Sequence, residues 1–128
     1  MSGATSFRGL RTAIYAVADL PAAMMWYSDV LERAPYFNEE FYVGFNVGGF
    51  ELGLVPEPEL PIERDAAGVA FWGVDDADAT YARLIGLGAT DHEPVQDVGG
   101  GVKIGAVRDP FGNVLGVVEN AHFRLEPQ

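Results

Sequence analysis

The chain has 128 residues and 48% apolar content, which is enough for one domain with a sizeable core. Cysteine is absent, which excludes a disulfide framework, a thiolate metal site and a cysteine nucleophile, and is typical of a reducing compartment such as the cytoplasm. The net charge of −11 disfavours nucleic acid and anionic membranes as partners, because like charges repel, and no apolar run approaches the ~20 residues of a membrane span.

The first half of the chain predicts a strand, a helix and a β-hairpin. Asp19 suits the N-cap of the helix and Pro21 its first turn, whereas Pro35 marks its end. Gly48-Gly49 is typical of the turn between two hairpin strands. The predicted strands cover residues 10–18, 41–47 and 50–55.

The second half repeats this order after a segment rich in proline and charge, residues 56–67, which is predicted to be a linker. Asp76 suits a second N-cap, and Gly88 suits the end of the helix that follows. The motif Asp109-Pro110-Phe111-Gly112-Asn113 predicts a tight reversal, because its residues match the positions of a type I turn. The predicted strands cover residues 69–74, 102–108 and 114–119, and the helix covers 77–87.

Two short motifs 57 positions apart indicate an internal repeat. Val17-Ala18-Asp19 precedes the first helix, and Val74-Asp75-Asp76 precedes the second. Because neither half can bury its apolar face alone, the two are expected to pack together. The predicted fold class is α+β, with βαβββ modules at residues 8–55 and 68–123 that form a curved mixed sheet around a cleft in one domain, residues 1–128.

Three stretches resemble the vicinal oxygen chelate superfamily, which contains glyoxalases, bleomycin-resistance proteins and extradiol dioxygenases. They are Val17-Ala18-Asp19-Leu20 ahead of a helix with Trp26-Tyr27, the segment at 69–76, and Arg108 with the Asp-Pro-Phe-Gly-Asn motif. The resemblance covers roughly residues 8–123. It implies a homodimer and a small-molecule ligand, and it leaves the substrate open, because this fold serves many reactions.

In metal-dependent relatives, the resemblance implies that the ligands would stand at Thr12, Glu51, Val69 and Gly116. Zinc, iron, manganese and nickel sites need three or more strong donors, and only Glu51 is one. No metal and no cofactor are therefore predicted. Val69 and Gly116 are instead expected to leave an aliphatic wall and empty space, which would enlarge an apolar cleft.

The two histidines stand away from these positions. His92 lies in a polar stretch predicted to be a solvated loop. His122 follows the last strand, where it is expected to pack on the sheet as part of a tail, or to fold back over the cleft. A rearranged metal site built on them is the less favoured interpretation.

Strand alternation predicts which side chains share the face of the implied ligand positions. Phe71 lies two residues after Val69 and is the strongest aromatic candidate, and further aromatic residues surround the start of the second strand. The residues predicted to bind a ligand are Glu51, Thr12, Phe71, Val69, Gly116, Phe37 and Tyr42.

Glu51 is the only candidate for a catalytic residue. A carboxylate on an inner face needs a partner, which could be a ligand with a cationic or donor group, or an internal Arg11, Arg108 or Lys103. Alternatively, the register of its strand could place the Glu51 side chain in solvent.

The predicted function is metal-independent binding of a small, partly aromatic organic molecule. The alternative is a glyoxalase-like lyase, isomerase or dioxygenase that has an atypical metal site or uses Glu51 as a general base. A module without a small ligand, whose own side chains fill the cleft, is the third possibility.

Overall fold

The computed structural model describes residues 8–57 and 68–124, which fold into two four-stranded sheets and two helices. The first module contains β1 (Thr12–Val17), α1 (Leu20–Leu31), β2 (Phe37–Glu39), β3 (Tyr42–Val47) and β4 (Phe50–Pro56). The second contains β5 (Phe71–Gly73), α2 (Ala77–Gly86), β6 (Thr90–Gly99), β7 (Val102–Arg108) and β8 (Val114–Asn120). None of the helices in these ranges is long and apolar enough to cross a membrane.

The two sheets have the same topology. Their strand orders are β1-β4-β3-β2 and β5-β8-β7-β6. The first strand of each module pairs in parallel with the last, and the other pairs are antiparallel. This confirms the predicted α+β fold of two βαβββ modules, and each module supplies one mixed sheet.

Both helices begin at the predicted caps. The Asp19 side chain accepts a hydrogen bond from the Ala22 amide, and the Asp76 side chain accepts one from the Ala79 amide, each at 3.0 Å. Each bond satisfies an amide that has no partner within the first turn of its helix. The repeat seen in the sequence is therefore also a repeat of local structure.

Two strands, β2 and β6, were not predicted individually. Both lie at the outer edge of a sheet, and their side chains are almost all exposed, so the period-two apolar pattern is absent. The pairing of β6 with β7 shifts register between Glu93 and Gln96, on either side of Pro94, as expected for proline in an edge strand. His92 accordingly lies in a strand, and the prediction that it lies in a loop is wrong.

The start of the predicted linker continues the first sheet. Pro56 is the last residue of β4 and pairs with Val17, and the Glu57 amide donates to the Val17 carbonyl at 2.9 Å. The remainder of the predicted linker, residues 58–67, lies outside the described residues.

One core joins the two modules. Tyr15 and Val17 on β1 point to the helix side of the first sheet, together with the buried residues of β3 and β4. Trp72 on β5 packs against this core, and its indole Nε1 donates to the Tyr15 hydroxyl at 3.1 Å. The fully buried side chains of this core include Val17, Tyr27, Val43, Phe45, Leu52, Leu54 and Val107.

The turn between β7 and β8 contains the buried polar residues Asp109 and Asn113, which are 3% and 4% exposed. Asp109 Oδ1 accepts from the amides of Phe111 and Asn113, and its Oδ2 accepts from the Tyr27 hydroxyl at 2.6 Å. Asn113 Nδ2 donates to the Ala16 carbonyl at 2.8 Å. The predicted reversal thus also fastens the second module to α1 and β1 of the first.

Gly112 has a φ of +93° in this turn, and its amide donates to the Asp109 carbonyl. A β-branched residue is strained in that region, so Gly112→Val should lower the free energy of unfolding by ~1–3 kcal/mol in a denaturant titration. Gly73→Val is the matched control, since Gly73 has open space for a Cβ and no positive φ. Equal losses in the two variants would contradict the turn geometry.

Candidate ligand-binding site

The face of the first sheet that points away from the shared core carries the candidate site, and we call it the inner face. Thr12 pairs with Glu51 across β1 and β4, and Gly53 pairs with Gly44 across β4 and β3. Because paired residues and every second residue share a face, these strands place the predicted residues together. The inner face carries Thr12, Ile14, Phe37, Tyr42, Gly44, Glu51 and Gly53.

Glu51 sits at the centre of a carboxylate–hydroxyl cluster, which consists of Thr12, Tyr36, Tyr42 and Glu51. The Tyr42 hydroxyl donates to Glu51 Oε1 at 2.5 Å, and the Tyr36 hydroxyl donates to Oε2. The hydroxyl oxygens of Thr12 and Tyr42 are 3.5 Å apart. Of these four residues, Tyr36, which lies just before β2, belongs to the aromatic residues noted around the second strand but was not predicted to bind a ligand.

Two glycines make room for the tyrosine rings. A Cβ at Gly53 would overlap the Tyr42 hydroxyl, and a Cβ at Gly44 would lie 2.6 Å from Glu51 Oε2 and 3.1 Å from the Tyr36 ring. Glycine inside a strand weakens the strand and often marks a close approach by another group. The glycines at positions 44 and 53, each inside a predicted strand, could therefore have indicated that bulky side chains such as the tyrosines pack over this face.

The hydrogen bonds decide the ionisation of Glu51. Burial alone would raise the pKa of Glu51, but hydrogen bonds from Thr12, Tyr36 and Tyr42 outweigh it and hold the pKa below its ordinary value. The pKa of Tyr42 is raised, first by burial and then by the bond it donates to Glu51. At neutral pH the cluster is therefore a carboxylate surrounded by neutral hydroxyl groups.

The basic residues considered as partners of Glu51 have other contacts. Lys103 Nζ lies 3.0 Å from Asp78 Oδ2, Arg11 donates to the Arg8 carbonyl, and Arg108 donates to the Gly112 carbonyl. The polar contacts described for Glu51 come from hydroxyl groups, so the expectation of an internal ion pair is not met among the described residues.

Aromatic rings flank the cluster on the side of β2. The Phe37 ring centroid lies 6.0 Å from that of Phe41 and 6.1 Å from that of Tyr42, both in edge-on arrangements. Tyr36 is 65% exposed and Phe41 is 62% exposed. Apolar ring surface therefore lies next to an ionised carboxylate.

In the second sheet, Phe71 and Gly116 are register partners. A Cβ at Gly116 would lie 2.7 Å from Phe71 Cδ1, so the Phe71 ring occupies the space above the glycine. The expectation that Gly116 leaves empty space is therefore wrong. Phe71 on β5 is 46% exposed, and Val69, which precedes β5, is also exposed, so both predicted positions present apolar surface.

The histidines lie apart from the predicted site residues. His92 is exposed on β6, and His122 is exposed after β8, where its amide donates to Asn120 Oδ1 at 3.1 Å. Across residues 8–57 and 68–124, no group of three or more histidine, aspartate or glutamate side chains has the geometry to hold a metal ion.

A sequence model of the Glyoxalase/Bleomycin resistance protein/Dioxygenase superfamily matches residues 9–117. The chain belongs to this superfamily. The match includes both helices, the Asp109–Asn113 turn and all four members of the carboxylate–hydroxyl cluster.

Solved structures of superfamily proteins share this fold. A glyoxalase-related enzyme from Fulvimarina pelagi is 17% identical, with a TM-score of 0.73 and 94% of each chain covered. A lactoylglutathione lyase from Agrobacterium tumefaciens is 21% identical, with a TM-score of 0.71 and coverage of 92% of this chain and 98% of its own. TioX from Micromonospora sp. ML1 is also 21% identical, with a TM-score of 0.65 and coverage of 88% and 98%.

Tyr42→Phe tests the assignment of the Glu51 pKa. Removing one hydroxyl donor should raise this pKa, which ¹³C NMR of the side-chain carboxyl can follow across pH. Because folding lowers the pKa, ionised Glu51 stabilises the fold above its unfolded pKa, and this contribution is lost as pH falls through the folded pKa. This stabilisation of the fold by ionised Glu51 should be smaller in Tyr42→Phe than in the wild type.

Two further variants test the geometry. Gly53→Ala should also raise the pKa of Glu51, because the new methyl group displaces the Tyr42 hydroxyl while leaving it in the chain. Tyr81→Phe is the matched control, since Tyr81 donates to Asp91 Oδ1 in the second module. An unchanged Glu51 pKa in both Tyr42→Phe and Gly53→Ala would refute the cluster.

Proposed function

We propose that this superfamily member binds a small, partly aromatic organic molecule on the inner face of its first sheet, without a metal ion. The observation that carries the proposal is the ionised Glu51 carboxylate, held by two tyrosine hydroxyls beside exposed aromatic rings. Binding sites combine apolar surface with a few fixed polar groups, and this arrangement provides both.

The atoms available to bind a metal at the implied ligand positions support ligand binding without a metal. Both Glu51 oxygens accept phenol hydroxyls, and the neutral hydroxyl groups that surround Glu51 are weak donors for a transition metal. Val69 and Gly116 have no side-chain donor, and the Phe71 ring covers Gly116. Transition-metal sites in proteins need several strong donors that converge on one point, and these residues do not supply them.

The exposed apolar residues support a homodimer, and the absence of cysteine from the sequence supports the cytoplasm as its compartment. Ile14 and Phe37 on the first sheet, Phe71 on the second and Val69 just before β5 are each at least 38% exposed in a single chain. Contiguous apolar surface is commonly covered by a ligand or by another subunit. A second copy would bury part of this surface and would enclose a bound molecule.

The homodimer can be checked by size-exclusion chromatography with light scattering. The expected mass is twice the 13.8 kDa of the chain. Phe71→Ser should shift the equilibrium towards the monomer, whereas Phe123→Ser on the exposed segment after β8 serves as the control. A strictly monomeric wild type at micromolar concentration would overturn the dimer proposal.

Metal independence predicts that purified protein contains no stoichiometric transition metal by elemental analysis. EDTA should leave the melting temperature unchanged, because no ligand of the native state is removed. Zinc, nickel, iron or manganese that survives dialysis at one ion per chain would contradict the proposal and favour a lyase or dioxygenase.

A thermal-shift screen should identify ligands, since a ligand present at 100 times its Kd adds about 2.7 kcal/mol of stability. For a ligand found in this way, Glu51→Gln should weaken binding by ~1.5–3 kcal/mol, the usual contribution of a charged hydrogen bond. The free energy of unfolding should change little, because the tyrosine hydroxyls can also bond an amide.

Glu93→Gln provides the control for this experiment, since it makes the same charge change on exposed β6. Loss of turnover with retained affinity in Glu51→Gln would indicate a general base instead of a binding residue. Unchanged affinity together with unchanged stability would refute any role for Glu51 in ligand binding.

A further inference from the structure

The hydroxyl hydrogens of Tyr36 and Tyr42 are directed at Glu51. Tyr36 donates to Oε2 and Tyr42 donates to Oε1, and the bond from Thr12 helps to keep the carboxylate ionised. Each hydroxyl group has a single hydrogen and two lone pairs. With the two tyrosine hydrogens committed to Glu51, the carboxylate and its phenol partners offer an incoming group lone pairs and negative charge.

Asn46 and Glu39 share the inner face with the cluster, where Asn46 adds a neutral amide and Glu39 a carboxylate. Asn46, the register partner of Glu51 on β3, turns its Oδ1 to the Gly49 amide at 2.9 Å, in the hairpin turn. Glu39 pairs with Tyr42 and adds a second carboxylate to the inner face. Phosphate, sulfate, carboxylate and ketone groups accept hydrogen bonds and would find no hydroxyl donor free at Glu51.

Building on the binding function proposed above, we infer that the group recognised at Glu51 is an ammonium that carries N–H donors on an aromatic body. An ionised carboxylate has about four lone-pair sites, and the two tyrosines use two of them, so acceptor capacity remains for an N–H group. The Phe37 and Phe41 rings lie beside the cluster and can pack against the aromatic body. Their π-electrons also favour a nearby cation.

Four probes that share one ring can test this inference. Benzylamine, benzyltrimethylammonium, benzyl alcohol and benzoate differ only in the head group, and their binding can be followed through the ¹⁵N-labelled amide signals of Gly44, Glu51 and Gly53. At neutral pH, benzylamine should bind at least about tenfold more tightly than benzyl alcohol, since its charged hydrogen bond is the added interaction. Benzyltrimethylammonium should bind more weakly than benzylamine because it has the charge but no N–H donor, and benzoate should bind most weakly.

Variants assign the effect to the cluster. Glu51→Gln should reduce benzylamine affinity to that of benzyl alcohol, whereas Glu93→Gln on exposed β6 should leave it unchanged. Tyr36→Phe frees a lone-pair site on Glu51 and should leave the preference for benzylamine over benzoate in place.

Each outcome distinguishes the inference from the proposed function. If benzyl alcohol or benzoate shifts the same signals as strongly as benzylamine, the ammonium inference fails and binding at the inner face stands. If benzyltrimethylammonium binds as tightly as benzylamine, the requirement for N–H donors fails. If no probe shifts any signal of the inner face, both the inference and the proposed function are overturned.

Discussion

The hydrogen bond between the Tyr27 hydroxyl and Asp109 Oδ2 is the contact on which the arrangement of the two modules depends. Asp109 is almost fully buried, and burying a carboxylate is costly unless hydrogen bonds satisfy it. The Tyr27 hydroxyl and the turn amides do this only when α1 and the β7–β8 turn meet in one relative position. Apolar burial brings the modules together, whereas this bond, with those from Asn113 to Ala16 and from Trp72 to Tyr15, fixes how they meet.

In each sheet, a glycine without a Cβ leaves room for an aromatic ring. In the first sheet, Gly53 accommodates Tyr42, whose hydroxyl reaches Glu51. In the second sheet, Gly116 accommodates Phe71, which has no polar group to offer. The same packing device therefore yields a polar site in one module and an apolar surface in the other. This asymmetry distinguishes the two halves of a repeat in which both helices have an aspartate N-cap.

The fold was predictable because its signals are local. The Asp19 and Asp76 caps and the turn around Gly112 each specify their structure within a few residues. The edge strands β2 and β6 lack an apolar alternation, since neither buries a face. The site was only partly predictable: alternation places Thr12 and Glu51 on one face, but Tyr36 lies outside the strands and reaches Glu51 through side-chain packing over Gly44. A sequence pattern does not specify such a contact between residues of different elements.

The shared fold and the individual site carry different information about function. The fold is common to structures described as a lactoylglutathione lyase and as TioX, so architecture alone does not select a reaction. The feature that bears on the choice of ligand is the set of hydrogen bonds around Glu51. Tyr36 and Tyr42 each donate a hydrogen bond to one of its oxygens, and each oxygen keeps a second lone pair. These bonds hold the pKa of Glu51 below its ordinary value, and the remaining lone pairs suit a ligand that brings its own hydrogens.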